Sequence, residues 1–244
     1  MAEGEFAFIA RRLRPLATAE GALGLADDAA LLDPAPGRQL VLAKDAMVAG
    51  VHFLGDDPPA QIARKLLRVN LSDLAAMGAA PLGYLLALAR SKEIADVWLG
   101  EFCAGLAADN AEFAIPLLGG DTVATPGPLT LSLTALGEVP KGAALLRGGA
   151  RPGDDIWVSG TLGDAALGLE ALQGKLDVTG EARAYLIERY RLPRPRLALG
   201  QALRGTASAA IDISDGLIAD LGHVLEVSEV GAELHADALP LSPA

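Results

Sequence analysis

A single cysteine, Cys103, is all the thiol in this 244-residue chain, which excludes a disulfide framework and a cysteine-built zinc site. It lies in "EFCAGLAAD", a helical pattern that reads as a buried thiol rather than a nucleophile. Aromatic residues make up only 4%, so the core has to be built from Ala, Leu, Val and Ile. Basic residues number 20 against 31 acidic ones, a net charge of −11 that argues against a nucleic-acid backbone or an anionic membrane surface as partner. An anionic small molecule fits if metal cations mediate its binding. There is no GxSxG elbow, no HExxH and no GxxxxGK[ST] P-loop. The apolar run "PLGYLLALA" is far too short to span a bilayer, and "MAEGEFAFIARR" is not a signal peptide. The chain reads as a soluble cytoplasmic protein.

What is present is apolar: 51% hydrophobic residues, enough for one large domain or two smaller ones. "EFAFIARRLRPL" predicts a short first helix stopped by Pro15. Strands are expected in "AALLD", "QLVLAKDAMV", "LGYLLALA", "LLGGDT" and "LTLSLTALGEV". Helices are expected in "PPAQIARKLLRVNLSDLAAMG", opened by prolines and closed at Gly78, and in "DVWLGEFCAGLAADNAEF". The Gly/Pro-rich run "EVPKGAALLRGGARPGDD" marks a boundary near residue 148, dividing the chain into domains 1–148 and 149–244. The second part reads strand "DIWVSG", three helices ("GDAALGLEALQG", "EARAYLIERYRL", "PRLALGQALRG"), strand "SAAIDIS", helix "DGLIADLGHVLEVSE" and strand "AELHADALP". Alternating strands and helices in both parts make the class α/β.

Five stretches share one feature, aspartates at or just beyond the end of an apolar segment. They are "LADDAALL" (Asp27, Asp28), "VLAKDAMV" (Asp45), "NLSDLAAMG" (Asp73), "LLGGDT" (Asp121) and "AIDISDGL" (Asp212, Asp215). Each has an ordinary explanation alone, Asp215 as a helix cap and the others as turn or strand-end residues. Asp73 is the hardest to explain that way. With Asn70 and Met77 it shares one side of a helix inside an apolar run, where a lone carboxylate is costly unless paired or metal-bound. In "AIDIS", Asp212 and Ser214 point to one side and Ile211 and Ile213 to the other. Were these segments to converge, the carboxylates could not all stay ionised without cations. Oxygen-only donors select Mg²⁺ or a similar ion, which completes its shell with water and phosphate oxygens, so the constellation implies a nucleotide. Gly119 and Gly120 beside Asp121 would let backbone approach a phosphate, Arg147 is a candidate phosphate contact, and His52 is the histidine near the acidic stretches.

Taken in order, "GEFAFIAR", "DDAALL", "DAMVAGVHF", "VNLSDLAAMGA", "LLGGDT", "ARPGDDIWVSGTLGD" and "IDISDGLIADLGH" resemble the thiamine-monophosphate kinase family over nearly the whole chain. The resemblance implies an aminoimidazole ribonucleotide synthetase-like fold of two α/β domains, dimeric through the N-terminal sheet. It implies that Asp28, Asp45, Asp73, Asp121 and Asp212 ligate several Mg²⁺ ions holding ATP, that Asp215 holds a further ion, and that Gly120, Asp121, Arg147 and Ser214 touch ATP. His52 would meet the thiamine phosphate. The implied reaction moves the ATP γ-phosphoryl group to thiamine monophosphate, and no general base is expected because the acceptor is already an anion. Ala43–Lys44 stands where the family carries small hydroxyl residues, so either a backbone carbonyl ligates there or Lys44 replaces part of a metal's charge. Ala26 stands where the family often has glycine. The resemblance also leads one to expect a second domain that is incomplete at Ala244. Two alternatives are another ATP-dependent enzyme of the same superfamily and a catalytically dead nucleotide-binding dimer.

Overall fold

The structure, a computed structural model, describes residues 5–244, with side chains from residue 7. Gly4 of the opening motif lies outside the described residues. The first helical stretch runs α1 (Glu5–Phe8), a π-turn (Ile9–Leu13) and a 3₁₀ turn (Arg14–Leu16), with Pro15 inside that last turn. Proline lacks the N–H that would continue the helix, and the stretch ends there. A further 3₁₀ segment, Glu20–Leu25, was not expected; it carries left-handed Leu23 and Gly24.

Four strands follow: β1 (Arg38–Val48), β2 (Ala80–Arg90), β3 (Leu117–Ala124) and β4 (Thr130–Pro140). They form one sheet in the order β1-β4-β2-β3, with β1–β4 and β2–β4 antiparallel and β2–β3 parallel. The parallel pair needs a crossover, which α3 (Asp96–Phe113) supplies. Helix α2 (Pro59–Ala76) begins at Pro58–Pro59 and stops where Gly78 takes φ +68°.

Ile62, Ala63, Leu66, Leu67, Leu71 and Leu74 of α2 are buried against the inner sheet face, where Val41, Met47, Tyr84, Leu86, Leu88, Leu131, Leu133 and Ala135 meet them. Cys103 joins that core, and burial pushes its thiol up to about 11, as an inert buried cysteine requires. On the other flank of α2, Arg68 donates to both oxygens of the fully buried Asp109 on α3, at 2.7 and 2.9 Å. Arg64 adds a third bond to Asp109 at 2.7 Å. The two helices approach closely because Gly105 faces Ala60; a Cβ at residue 105 would lie 2.2 Å from the Ala60 carbonyl oxygen.

Residues 149–244 contribute α4 (Asp164–Leu172), α5 (Gly180–Arg191), α6 (Leu197–Leu203) and α7 (Leu217–Ser228). All four match the expected helices. The strands expected in "AALLD", "DIWVSG", "SAAIDIS" and "AELHADALP" are not formed. A strand exists only where a neighbour completes its ladder, and three of these segments make isolated bonds instead: Leu31 to Gly21, Ala210 to Leu146, and Pro240 to Leu162. Among the described residues, no helix is long and apolar enough to cross a membrane.

Replacing Gly105 by alanine should force α2 and α3 apart and lower stability by about 1–3 kcal/mol, the usual scale of overpacking. Urea unfolding checks this; an unchanged midpoint would mean that the helices yield without cost.

Candidate active site

Three segments meet at the carboxyl-terminal half of α2. Leu145 N–H donates to Met77 O and Ala210 N–H donates to Leu146 O, both close to 3 Å (3.1 and 2.9 Å). These two bonds lay the end of α2, the Arg147 segment and the "AIDIS" segment side by side. From the sheet, β1 is tied to the same helix by the wholly buried Asn70, whose Oδ1 accepts the Asp45 N–H at 3.1 Å while its Nδ2 donates to Leu66 O.

The result is a cluster of like charges. Burial pushes the Asp73 carboxyl up to about 7, and the charges of Asp212 and Asp45 push the same way, while Arg147 opposes them. Asp45 is raised too, first by burial and then by Asp212, with His52 pulling it down. Asp45, Asp73 and Asp212 therefore share one field, with Arg147 and His52 at its margin. Among the described residues no three acidic, histidine or cysteine groups are close enough to hold a metal ion as they stand. Mutual repulsion of bare carboxylates works against their closer approach.

The loop after β1 presents His52. Its Nδ1 accepts the Val48 N–H at 3.1 Å, which leaves the proton of the neutral ring on Nε2. The imidazole is exposed, so Nε2 is available as a donor to an anion.

Other expected residues are placed differently. Lys44 lies on the outer face of β1, opposite Asp45, because side chains alternate along a strand. There its Nζ donates to Ser132 Oγ at 2.8 Å and reaches Thr134 Oγ1 at 3.5 Å. Its ammonium does not join the carboxylates, which corrects the expectation that Lys44 replaces metal charge; only its backbone carbonyl remains for a metal. Asp121 pairs with Ala87 in the β2–β3 register and is exposed on that same outer face. Asp28 is exposed in a bend following the 3₁₀ segment that packs on β3. Gly120 is required by the sheet itself, since a Cβ there would lie 1.9 Å from Leu86 O.

Ser214 and Asp215 are exposed at the turn before α7, and Asp215 is not the cap of that helix. Asp220 takes that work: its Oδ2 accepts the N–H groups of Ser214, Asp215 and Gly216 at 2.9–3.1 Å. This leaves the Asp215 carboxylate free to face outward. Sequence reading singled out neither Asp220 nor Asn70 as a site residue. A polar residue inside an apolar helical run was the available signal for Asn70.

Set beside known proteins, residues 26–139 match the family description "AIR synthase related protein, N-terminal domain". The thiamine-monophosphate kinase of Caulobacter vibrioides is 52% identical over 241 residues, covering 98% of this chain and 67% of that protein. The crystal structure of thiamine-monophosphate kinase from Stenotrophomonas maltophilia superposes with a TM-score of 0.87 at 48% identity, over 100% of this chain and 78% of that one. A structure described as AaThiL complexed with AMPPCP and TMP superposes with a TM-score of 0.81 at 31% identity, over 98% of this chain and 75% of that one.

The crowded carboxylates have a measurable consequence. In protein stripped of divalent cations, folded Asp73 keeps its proton to about pH 7, whereas its ordinary value is 3.8. Between those values the folded state binds the additional proton, so stability falls as pH rises through the interval. Urea midpoints taken across it should decline for the parent and decline less for Asp73→Asn. Parallel curves for the two proteins would show that Asp73 does not carry the effect.

Proposed function

The chain belongs to the thiamine-monophosphate kinase family, and on that premise we propose that it transfers the γ-phosphoryl group of ATP to the phosphate of thiamine monophosphate, forming thiamine diphosphate and ADP. The observation that carries the reading is the convergence of Asp45, Asp73 and Asp212 beside Arg147 and His52. The relative bound to AMPPCP and TMP supports the choice of nucleotide and acceptor.

The donor set suits hard divalent cations: carboxylate oxygens, no thiolate, and negative charge in excess of what Arg147 offsets. We assign Asp45, Asp73 and Asp212 to Mg²⁺, with Asp28, Asp121 and Asp215 around further ions; for these last three the support is motif resemblance. Bound there, Mg²⁺ would supply charge neutralisation at the ATP phosphates. We assign Arg147, exposed beside Asp73, to a phosphate oxygen, with Gly120 and Ser214 along the nucleotide. His52 Nε2–H donates to the acceptor phosphate. The attacking oxygen already bears negative charge, so no residue has to remove a proton; the protein's work is alignment and charge stabilisation.

Lys44 would have motivated a catalytically dead dimer had it blocked a metal, and its outward placement removes that motive. We also propose a homodimer. The outer sheet face presents Leu40, Leu42, Leu85 and Val123 to solvent, Leu42 at 64% exposure, and the cations Lys44 and Arg38 on β1 are engaged there, Lys44 by Ser132 and Thr134 and Arg38 by Glu138. A second copy covering this face would bury the apolar patch with its edge strands. We also infer a cytoplasmic location, where the ATP that the proposed reaction draws on is available.

Incubated with ATP, Mg²⁺ and thiamine monophosphate, the protein should form thiamine diphosphate and ADP in equal amounts, and chelation should abolish both. Asp73→Asn should cut turnover by roughly 100-fold, the scale on which one charge-stabilising group acts. ADP formed only with a different acceptor would move the chain to another reaction of its superfamily. Sedimentation at micromolar concentration should show twice the chain mass; a monomer there counts against the sheet-face dimer.

A further inference from the structure

The segment 49–57, which carries His52, has few ties to its surroundings. Within it, Gly50 N–H donates to Phe53 O and Leu54 N–H to Asp57 Oδ2. Phe53, 2% exposed, is its apolar anchor, and at its root Ala49 N–H donates to Leu129 O. Val51 N–H and His52 N–H both donate to Val48 O at the end of β1, at 3.1 and 3.0 Å, and Asp57 N–H donates to Leu54 O. The polar ties from this segment to the helices come from two cations. Lys65 of α2 donates from Nζ to His52 O at 3.0 Å, and Arg191 at the end of α5 donates from Nε to Asp57 Oδ1 at 2.6 Å. The same Lys65 Nζ lies 3.7 Å from the ring centroid of Tyr190, next to Arg191 on α5.

We propose that Lys65 is a positioning residue for the acceptor site: its ammonium clamps the His52 main chain between α2 and α5, holding the imidazole where the acceptor phosphate docks. This rests on the reading of His52 given above. Val48 holds His52 from the strand side, its N–H on Nδ1 and its carbonyl on the His52 N–H, and Lys65 holds the His52 carbonyl from the helix side, so the direction of Nε2 depends on both ties. A cation is needed rather than a neutral donor because one group has to satisfy both a carbonyl and an aromatic face.

The groups around Lys65 set when that cation exists. Asp57 and His52 face it from the loop and Tyr190 and Arg191 from α5, while Arg64 and Arg68 on its own helix turn toward Asp109 and Glu112. Burial is the largest influence and pulls the amine down to about 8; Asp57 pulls it up and Arg191 pushes it further down. Above about pH 8 the clamp loses its charge and the His52 segment loosens.

Lys65→Met keeps the apolar stem without the charge, Lys65→Arg keeps a cation that does not titrate, and His52→Ala tests the imidazole alone. Lys65→Met should raise KM for thiamine monophosphate about tenfold, the loss expected of one charge-assisted hydrogen bond. Its KM for Mg·ATP should stay within about twofold, and amide exchange should quicken across 49–57 and not in the sheet. Lys65→Arg should recover most of both effects. The parent's acceptor KM should climb above pH 8, and that of Lys65→Arg should not, a comparison that holds even if Lys65→Met fails to fold. Unchanged exchange across 49–57, or equal rises in both KM values, would overturn the proposal. If the loop loosens in Lys65→Met but His52→Ala leaves the acceptor KM unchanged, the clamp stands and the placement of the acceptor at His52 falls, and with it the role of Lys65 there.

Discussion

The burial of α2 on two flanks at once is the constraint on which the remaining structure depends. One flank offers leucines to the sheet; the other offers Arg64 and Arg68 to an aspartate with no solvent exposure at all. An unpaired carboxylate at that depth would cost several kcal/mol, and removing either partner of such a pair leaves the other charge stranded. Nε and Nη2 of Arg68 answer the two oxygens of Asp109, Nη2 also donates to Glu112, and Nη1 donates to the carbonyl of Pro193. One side chain thus joins α2, α3 and the chain leading into α6. With the helix held this way, Asn70 and Asp73 have one available direction, toward β1 and the segment carrying Asp212.

That direction brings carboxylates together at a cost. Asp73 is raised by burial and by two like charges, and only Arg147 opposes them. A protein selected for stability alone would place asparagine or an apolar residue there, as a helix interior ordinarily does. Keeping three carboxyl groups in one field is sensible only where a cation later joins them, so the local instability of the bare site and its proposed chemistry have a common origin. The neighbouring polar groups follow the same economy. Asp220 spends its carboxylate on three backbone N–H groups, which leaves Asp215 unspent and facing outward.

Much was legible along the chain. Pro58–Pro59 and Gly78 bracket α2 because proline suits the first helical turn and glycine tolerates the left-handed exit. Apolar runs of strand length bounded by turn residues located all four strands of the sheet. Asp45, Asp73 and Asp212 stood out as oxygen donors in apolar surroundings, and their motifs in order carried the family. Less legible was anything that depends on partners distant in sequence. "SAAIDIS" and "DIWVSG" have strand composition and form none, because a strand is a property of two segments and no neighbour pairs with either along its length.

Composition, periodicity and motif order by themselves determined the α/β class, nearly all of the helices and the family, and singled out the candidate carboxylates. These are properties of contiguous residues: turn geometry, helical spacing and local charge need no knowledge of what lies across the fold. Only the tertiary structure decided which face of β1 each side chain takes, sending Lys44 to Ser132 and Thr134 while its neighbour Asp45 turns toward Asp212. It alone brought Lys65 of α2 and Tyr190 of α5 around the carbonyl of His52 and made Asp220, not Asp215, the residue that closes the turn before α7. Each of those outcomes depends on strand alternation together with a pairing register, or on contacts across many tens of residues, and one strand register shifted by a single residue would reverse the first of them.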